Sequence, residues 1–141
     1  MYPVCVANGR IKRRRWITAE KIRTPAQQLE EFLNFVDQCY TDYRYAYEAV
    51  NEEDKRLQDL VHEIEFAPDK AERNCVATRL QHSRKERRRN KDTVKLNELV
   101  VKFFDEKGHR DTLNKMRQLL GRQRKEEEYL FGERVYKPRV K

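Results

Sequence analysis

The tetrapeptide FAPD, residues 66–69, separates two long segments that both have helical periodicity. Pro68 lacks an amide hydrogen and its ring clashes with the preceding turn, so a helix cannot continue through it. The residue before a proline is pushed toward extended geometry, which predicts that the first helix ends at Phe66. Asp69 and Glu72 have the D-x-x-E spacing of a new helix start. The sequence therefore predicts two helices that fold back on each other about this turn.

The first predicted helix spans residues 24–66. Thr24 can cap it, Pro25 suits the first helical position, and Gln27 can reach back to the cap. Hydrophobic or tyrosine side chains then recur in alternating steps of four and three residues, which is the spacing of a coiled-coil seam. The predicted seam consists of Leu29, Leu33, Val36, Tyr40, Tyr43, Tyr47, Val50, Asp54, Leu57, Val61 and Ile64. Asp54 is its one charged member, and the tyrosines are expected to pack in the core.

The second predicted helix spans residues 69–107 and has the same four-three spacing. Its seam is apolar at both ends and polar in the middle, in the order Val76, Leu80, Ser83, Arg87, Asn90, Val94, Val101 and Phe104. Gly108 is expected to end it as a C-cap. The two polar stretches face each other in a hairpin, so Asp54 and Glu48 are predicted to form structural ion pairs with Arg84 and Arg87.

A third helix is predicted over residues 111–131, capped by Asp111 or Thr112. Its apolar side chains are Leu113, Met116, Leu119, Leu120 and Leu130. We expect it to pack at the open end of the hairpin, where Phe32, Phe35, Phe103 and Phe104 come together. Residues 132–141 follow as a basic tail.

The N-terminal residues 1–18 are predicted to form a small β-hairpin. Asn8 and Gly9 tolerate the positive φ angles of a two-residue turn. The arm after the turn carries a basic patch of Arg10, Lys12, Arg13, Arg14 and Arg15, followed by Trp16. This patch predicts either salt-dependent, sequence-blind contact with nucleic acid or an arm folded against acidic residues of the first helix.

Length and composition indicate one domain, residues 1–141, of the all-α class: a long antiparallel helical hairpin plus a shorter third helix, with a small N-terminal β-hairpin. Charged residues make up 40% of the chain, and only four glycines and four prolines interrupt it, as is typical of long helices. The sequence has no transmembrane run and no secretory signal pattern, and its three cysteines are scattered, so we expect a cytoplasmic protein.

The stretch RKERRRNKD, residues 84–92, admits two interpretations for its remaining cations. Arg88, Arg89 and Lys91 cannot all point inward, because successive residues are rotated by about 100° around a helix. They form either a solvated face or a patch that contacts phosphates. An acidic face on the first helix, made of Glu30, Glu31, Asp37 and Asp42, could instead imitate phosphates toward a basic partner.

No pattern in the sequence indicates catalysis. It contains no glycine-rich phosphate loop, no G-x-S-x-G and no H-E-x-x-H. Cys75 and His82 share a helix face but lie about 10 Å apart along its axis, too far for one zinc ion. We therefore expect a protein that is not an enzyme and that has no cofactor and no metal.

Two groups of motifs carry a resemblance to small helical proteins of phages and prophages of Gram-positive bacteria. The first group fits R-x-x-R-R-x-x-K-D at Arg84, Arg87, Arg88, Lys91 and Asp92. The second fits L-G-x-x-R-K and R-x-Y-x-P-R at Leu120, Gly121, Arg124, Lys125, Arg134, Tyr136, Pro138 and Arg139. The resemblance covers roughly residues 40–141 and implies a viral or mobile-element setting in a bacterial host. In that setting an inhibitor of a host defence nuclease, of the anti-CRISPR type, is an expected role.

Two functional hypotheses remain open at this stage. In the first, the protein works by binding a nucleic acid, or a nucleic-acid-handling protein such as a host RNA-guided nuclease. In the second, it is a structural or assembly protein that oligomerises through its coiled-coil seam. Neither involves a membrane, and the second leaves a homodimer open.

Overall fold

The computed structural model describes residues 6–7, 10–11 and 23–140. Over residues 23–140 the chain is helical, with α1 at Pro25–Phe66, α2 at Lys70–Asp105 and α3 at Lys107–Phe131. Two short strands, β1 at Val6–Ala7 and β2 at Arg10–Ile11, pair antiparallel. The predicted all-α class with three helices is confirmed. The rest of the predicted hairpin of residues 1–18, including its turn and its docking, lies outside the described residues and stays a prediction.

The boundaries of α1 follow the predicted local chemistry. The Thr24 hydroxyl accepts the amide hydrogen of Gln27 at 3.3 Å, and the Gln27 side chain accepts that of Thr24 at 3.0 Å, which forms the capping box. Ala67 has a ψ of 125°, so the chain leaves helical geometry directly before Pro68. The carboxylate of Asp69 then accepts the amide hydrogen of Glu72 at 2.8 Å and starts α2.

The junction between α2 and α3 differs from the prediction. The break falls at Glu106, which has a ψ of 134°, and α3 begins at the next residue. Gly108 is therefore inside α3 rather than a C-cap of α2, and the predicted caps Asp111 and Thr112 are also inside that helix.

Side chains from the first turn of α3 explain why α2 can end without a glycine. His109 Nδ1 lies 2.7 Å from the carbonyl oxygen of Phe103, and the Arg110 guanidinium donates to the carbonyl oxygen of Asp105 at 3.2 Å. Carbonyl groups at the end of a helix have no partner within it. Here these two side chains supply hydrogen-bond donors for them, which is the role that a glycine C-cap would otherwise have.

α1 and α2 pack antiparallel along most of their length, and α2 uses the predicted seam. Every predicted seam residue of α2 is buried or half-buried, and Asn97 is a further buried member. On α1, the row Val36, Tyr43, Val50, Leu57 and Ile64 is buried or half-buried, as predicted.

Leu33 and Tyr40 of the predicted second row of the α1 seam are buried or half-buried, but beyond them the row is shifted by one residue from the prediction. Tyr47 and Val61 are 54% and 50% exposed, whereas the buried row consists of Cys39, Ala46, Glu53 and Leu60. Cys39 and Ala46 are small, so this row allows the two helices to approach more closely than a row of tyrosines would. Tyr47 instead stacks on Tyr43, with 6.2 Å between their ring centroids.

α3 runs antiparallel to the first half of α1. Leu113 and Leu120 pack on a core of Ala26, Leu33 and Val36, and Leu29, Tyr40, Phe104 and Met116 surround that core. The Glu127 carboxylate accepts the amide hydrogen of Ala26 and the hydroxyl of Thr24, each at 3.2 Å. A carboxylate at this position is favourable because the first amides of α1 have no partner within the helix and carry positive partial charge.

No helix within residues 23–140 is both long enough and apolar enough to cross a bilayer. Beyond α3, residues 132–140 of the predicted tail form no helix or strand and are exposed.

The shifted row can be tested with two neighbouring residues. Leu60 is 1% exposed, so Leu60→Ala should lower the free energy of unfolding by about 2–5 kcal/mol. Val61 is half exposed, and Val61→Ala should cost less than about 1 kcal/mol. Urea denaturation followed by circular dichroism measures both. Equal losses, or a larger loss for Val61→Ala, would contradict the observed packing.

Candidate nucleic-acid interface

A polar layer crosses the middle of the α1–α2 interface. The Glu53 side chain is buried and accepts a hydrogen bond from the Ser83 hydroxyl at 2.5 Å and one from Arg56 at 2.7 Å. Beside it, Asp54 accepts a hydrogen bond from Arg87 Nε at 2.6 Å. The predicted contact between Asp54 and Arg87 is thus present. We define these five residues as the polar layer.

The sequence places Glu53 opposite the arginines of α2, but the predicted seam does not include it, although it is the most deeply buried carboxylate of the layer. A signal was available, because Glu53 lies seven residues from both Ala46 and Leu60, in a row with a spacing as regular as that of the predicted one. The row that contains the tyrosines has the more hydrophobic composition, and hydrophobicity alone therefore favours it. A buried carboxylate needs hydrogen-bond donors, and Ser83 on α2 and Arg56 on α1 provide them.

The prediction of structural pairs for Glu48 and Arg84 is wrong in this structure. Both residues are exposed, and neither has an ion-pair partner among residues 23–140. The reason is rotational. Ser83 occupies the inward position, and the next residue is turned by about 100°, so Arg84 points away from α1.

The outward residues of α2 line a groove of about 610 Å³. Its charged residues are the cations Arg84, Lys85, Arg88 and Arg89 and the carboxylate of Asp92, and we call this the basic groove because the cations outnumber the carboxylate. Arg89 pairs with Glu86 of the same helix at 2.7 Å. Within the part of the chain that has described side chains, the other three cations make no ion pair, and neither does Lys91. The predicted phosphate-contacting residues Arg88, Arg89 and Lys91 therefore lie on the outer face of α2, and Arg84 joins them there.

The predicted acidic partner face has a different environment. Glu30 pairs with Arg124 at 3.0 Å, and Asp37 pairs with Arg117 at 3.3 Å. Glu31 pairs with Arg23 at 2.7 Å, and Asp42 accepts a hydrogen bond from Gln38 at the same distance. Three of the four carboxylates are thus partly neutralised within the fold, which weakens the case for phosphate imitation.

The three helices differ strongly in charge. α1 has three basic and eleven acidic residues, a net charge of −8, whereas α2 has eleven basic and five acidic residues, a net charge of +6. α3 has seven basic and four acidic residues, a net charge of +3. Arg117 and Arg124 of α3 pair with carboxylates of α1. Among residues 23–140, seven cations of α2 and four cations of α3 have no carboxylate partner.

Four side chains among residues 23–140 have shifted pKa values with local causes. Burial, and next the Asp42 carboxylate, raise the pKa of Cys39, while Cys75 is exposed. Burial, and next a hydrogen bond to Asp105 at 2.9 Å, raise the pKa of Tyr40. Lys102 donates to Glu98 at 2.7 Å, which lowers the pKa of the glutamate and raises that of the lysine. Lys102 therefore has a carboxylate partner, unlike Arg84, Lys85 and Arg88 of the basic groove.

The aromatic residues predicted to meet at the open end do so. The ring centroids of Phe32 and Phe104 lie 6.3 Å apart, and those of Phe103 and Phe104 lie 5.0 Å apart. Phe35 is next to Phe32 at 6.4 Å, and His109 stacks on Phe103 at 3.8 Å. We call these five residues the aromatic cluster.

The basic patch of the N-terminal segment is largely outside the described residues. Arg10 belongs to β2, and Lys12, Arg13, Arg14, Arg15 and Trp16 are not described, so their role stays a prediction.

No group of three or more metal-binding side chains occurs where the structure describes the chain. Comparisons with protein-family models, with curated proteins and with solved structures found no match.

Ser83→Ala tests the polar layer. It removes the hydroxyl that donates to the buried Glu53 carboxylate, and it should lower the free energy of unfolding by about 1–3 kcal/mol. The matched control is the next residue: Arg84→Ala should change the free energy by no more than about 0.5 kcal/mol, because that side chain is exposed. Denaturation curves showing no loss for Ser83→Ala would place the buried carboxylate elsewhere.

Proposed function

We propose that this protein binds nucleic acid and holds the phosphate backbone on the outer face of α2. The observation that carries the proposal is the set of cations in and beside the basic groove, Arg84, Lys85, Arg88 and Lys91, that have no carboxylate partner among residues 23–140. Such side chains attract a polyanion and displace its condensed counterions when it binds. Contacts of this kind position a nucleic acid without reading its bases, so the binding is expected to be sequence-independent.

The spacing of the cations along α2 supports this proposal. Arg84, Arg88, Lys91 and Lys95 recur at intervals of three or four residues, and side chains at such intervals lie on one side of a helix. With a rise of about 1.5 Å per residue, this line is about 17 Å long. One nucleic-acid strand running along it would therefore meet several cations in succession.

The way in which the fold uses its other arginines also supports it. Arg79 pairs with Glu63 at 2.6 Å and Arg87 pairs with Asp54 at the same distance, so both arginines form ion pairs with carboxylates of α1. Arg117 and Arg124 do the same from α3. Four carboxylates of α1 are thus paired with arginines outside the basic groove, and none is paired with a cation of the groove, which leaves the groove available for an external anion.

The wider setting of the proposal comes from the sequence resemblance. A phage or prophage protein that binds nucleic acid could interfere with a host RNA-guided nuclease by occupying its guide or its target. Arg84, Arg88 and Lys91, which belong to the first motif of that resemblance, are also the outward cations of α2. The alternative of assembly through the coiled-coil seam would require another surface, because α1 and α2 pack their seams on each other within one chain.

The test is a salt titration of binding with a charge-removal variant. Arg84→Gln/Arg88→Gln/Lys91→Gln should weaken binding of a fluorescent oligonucleotide by at least about tenfold at low salt, and it should reduce the slope of log affinity against log salt by roughly 2–3. Fluorescence anisotropy over a potassium chloride series measures both quantities.

The matched control removes three cations that the fold already uses. Arg79→Gln/Arg117→Gln/Arg124→Gln has the same change in net charge, and it should alter the slope much less, because these residues have carboxylate partners. Arg13→Ala/Arg14→Ala/Arg15→Ala measures the contribution of the N-terminal patch separately. If the unmodified protein retains no DNA or RNA at low salt, the proposed function is wrong.

A further inference from the structure

The outer face of α2 continues from the basic groove into an exposed apolar strip. Leu96, Leu99 and Phe103 follow Arg88 and Asp92 at steps of four, three and four residues, which keeps them on the same side of the helix. Leu96 is 79% exposed, Leu99 80% and Phe103 50%. Three large apolar side chains in a row on the outside of a hairpin indicate a contact surface rather than a solvated face.

The strip ends at the aromatic cluster, where unsaturated rings remain accessible. Phe103 belongs to both features, and it contacts Phe104 and stacks on His109. Through Phe104 and Phe32 the ring contacts extend to Phe35 on α1, which is 53% exposed. Apart from Asp92 between the groove and the strip, cations, aliphatic side chains and aromatic rings thus follow one another along one surface.

We infer that the ligand is single-stranded nucleic acid, with phosphates on the basic groove and bases on the strip and the aromatic cluster; this rests on the proposed function. A duplex keeps its base faces stacked inside, so it can use the cations but not the apolar strip. A single strand exposes both its phosphates and its bases, and unpaired bases stack on aromatic side chains whatever their identity. The surface matches the chemistry of the single strand over its whole length.

The dimensions of the surface agree with this ligand. From Arg84 to Phe103 the helix rises about 28 Å. Binding sites for single strands cover about 4–16 nucleotides, and a stretch of this length falls at the lower end of that range. Affinity should therefore increase with oligonucleotide length over the first few nucleotides and then level off.

A second copy of the chain fits the same surface less well than nucleic acid does. Two copies that met through this face with their α2 helices parallel would bring Arg84, Lys85 and Arg88 of one copy against the same cations of the other, which repels. An antiparallel pair would place these cations on the apolar strip without a carboxylate partner. A phosphate backbone instead supplies the negative charge that these cations lack within residues 23–140. Charge complementarity thus favours nucleic acid over a second copy.

The experiment compares three probes of equal length: a single-stranded oligothymidine, the corresponding duplex, and a single strand of abasic sites. The full-length protein should bind the oligothymidine at least about fivefold more tightly than either of the others, because only that probe offers unpaired bases. Leu99→Ser and Phe103→Ala should each reduce its affinity severalfold and should leave both the salt slope and the affinity for the abasic strand unchanged.

The control variant is Phe66→Ala, which removes a phenylalanine of 77% exposure at the other end of the hairpin and should not affect binding. Leu99→Ser is less prone to disturb the fold than Phe103→Ala, because Leu99 is more exposed than Phe103. A loss of affinity in Leu99→Ser can therefore be attributed to the surface. Circular dichroism checks that each variant retains its helices.

Three results would overturn the inference. Equal affinity for duplex and single strand, with no effect of Leu99→Ser or Phe103→Ala, would leave the proposed function standing and remove the single-strand preference. If the unmodified protein bound none of the three probes, both the proposed function and the single-strand preference would be wrong. A mass that rises with protein concentration in light scattering, and that Leu99→Ser returns to the monomer, would make the strip an interface between copies of the chain.

Discussion

The buried carboxylate of Glu53 is the constraint on which the arrangement of this molecule depends. The turn at Pro68 brings a helix of net charge −8 against one of net charge +6, and an acidic side chain inside that interface must find hydrogen-bond donors. Ser83 and Arg56 supply them, and Asp54 and Arg87 complete the polar layer beside it. A buried polar layer of this kind selects one register of a helical pair, at some cost in stability.

The same register decides which cations of α2 remain outside. Positions 83 and 87 point toward α1, whereas Arg84, Arg88 and Lys91 are turned out of the interface and are exposed. α3 adds to this division because it brings Arg117 and Arg124 to the carboxylates of Asp37 and Glu30, in the first half of α1. The fold therefore uses some of its basic residues to balance α1 and presents the others together. Which cations α2 exposes is therefore a consequence of how the carboxylates of α1 are paired within the fold.

Local chemistry made much of the fold predictable from the sequence, and the limits are equally local. Capping residues and Pro68 gave the ends of α1 and the start of α2, because these signals act within one turn of helix. The second row of the α1 seam was not predictable from hydrophobicity, since the less apolar row packs better against α2. The break at Glu106 was missed because His109 and Arg110, on the far side of it, provide the capping contacts. The pairing predicted for Glu48 and Arg84 fails because Arg84 follows the seam position Ser83 and is turned by about 100° from it, so that its side chain is exposed.

The most direct test of this account is a pair of double-mutant cycles on the free energy of unfolding, one for Asp54 and Arg87 and one for Glu48 and Arg84. The side chains of Asp54 and Arg87 are 46% and 24% exposed, so solvent screens their contact, and a coupling of about 0.5–1 kcal/mol is expected between them. The second cycle should give a coupling within about 0.3 kcal/mol of zero. A coupling between Glu48 and Arg84, with none between Asp54 and Arg87, would show that the helices pack in another register and would contradict the assignment of Arg84 to the outer face.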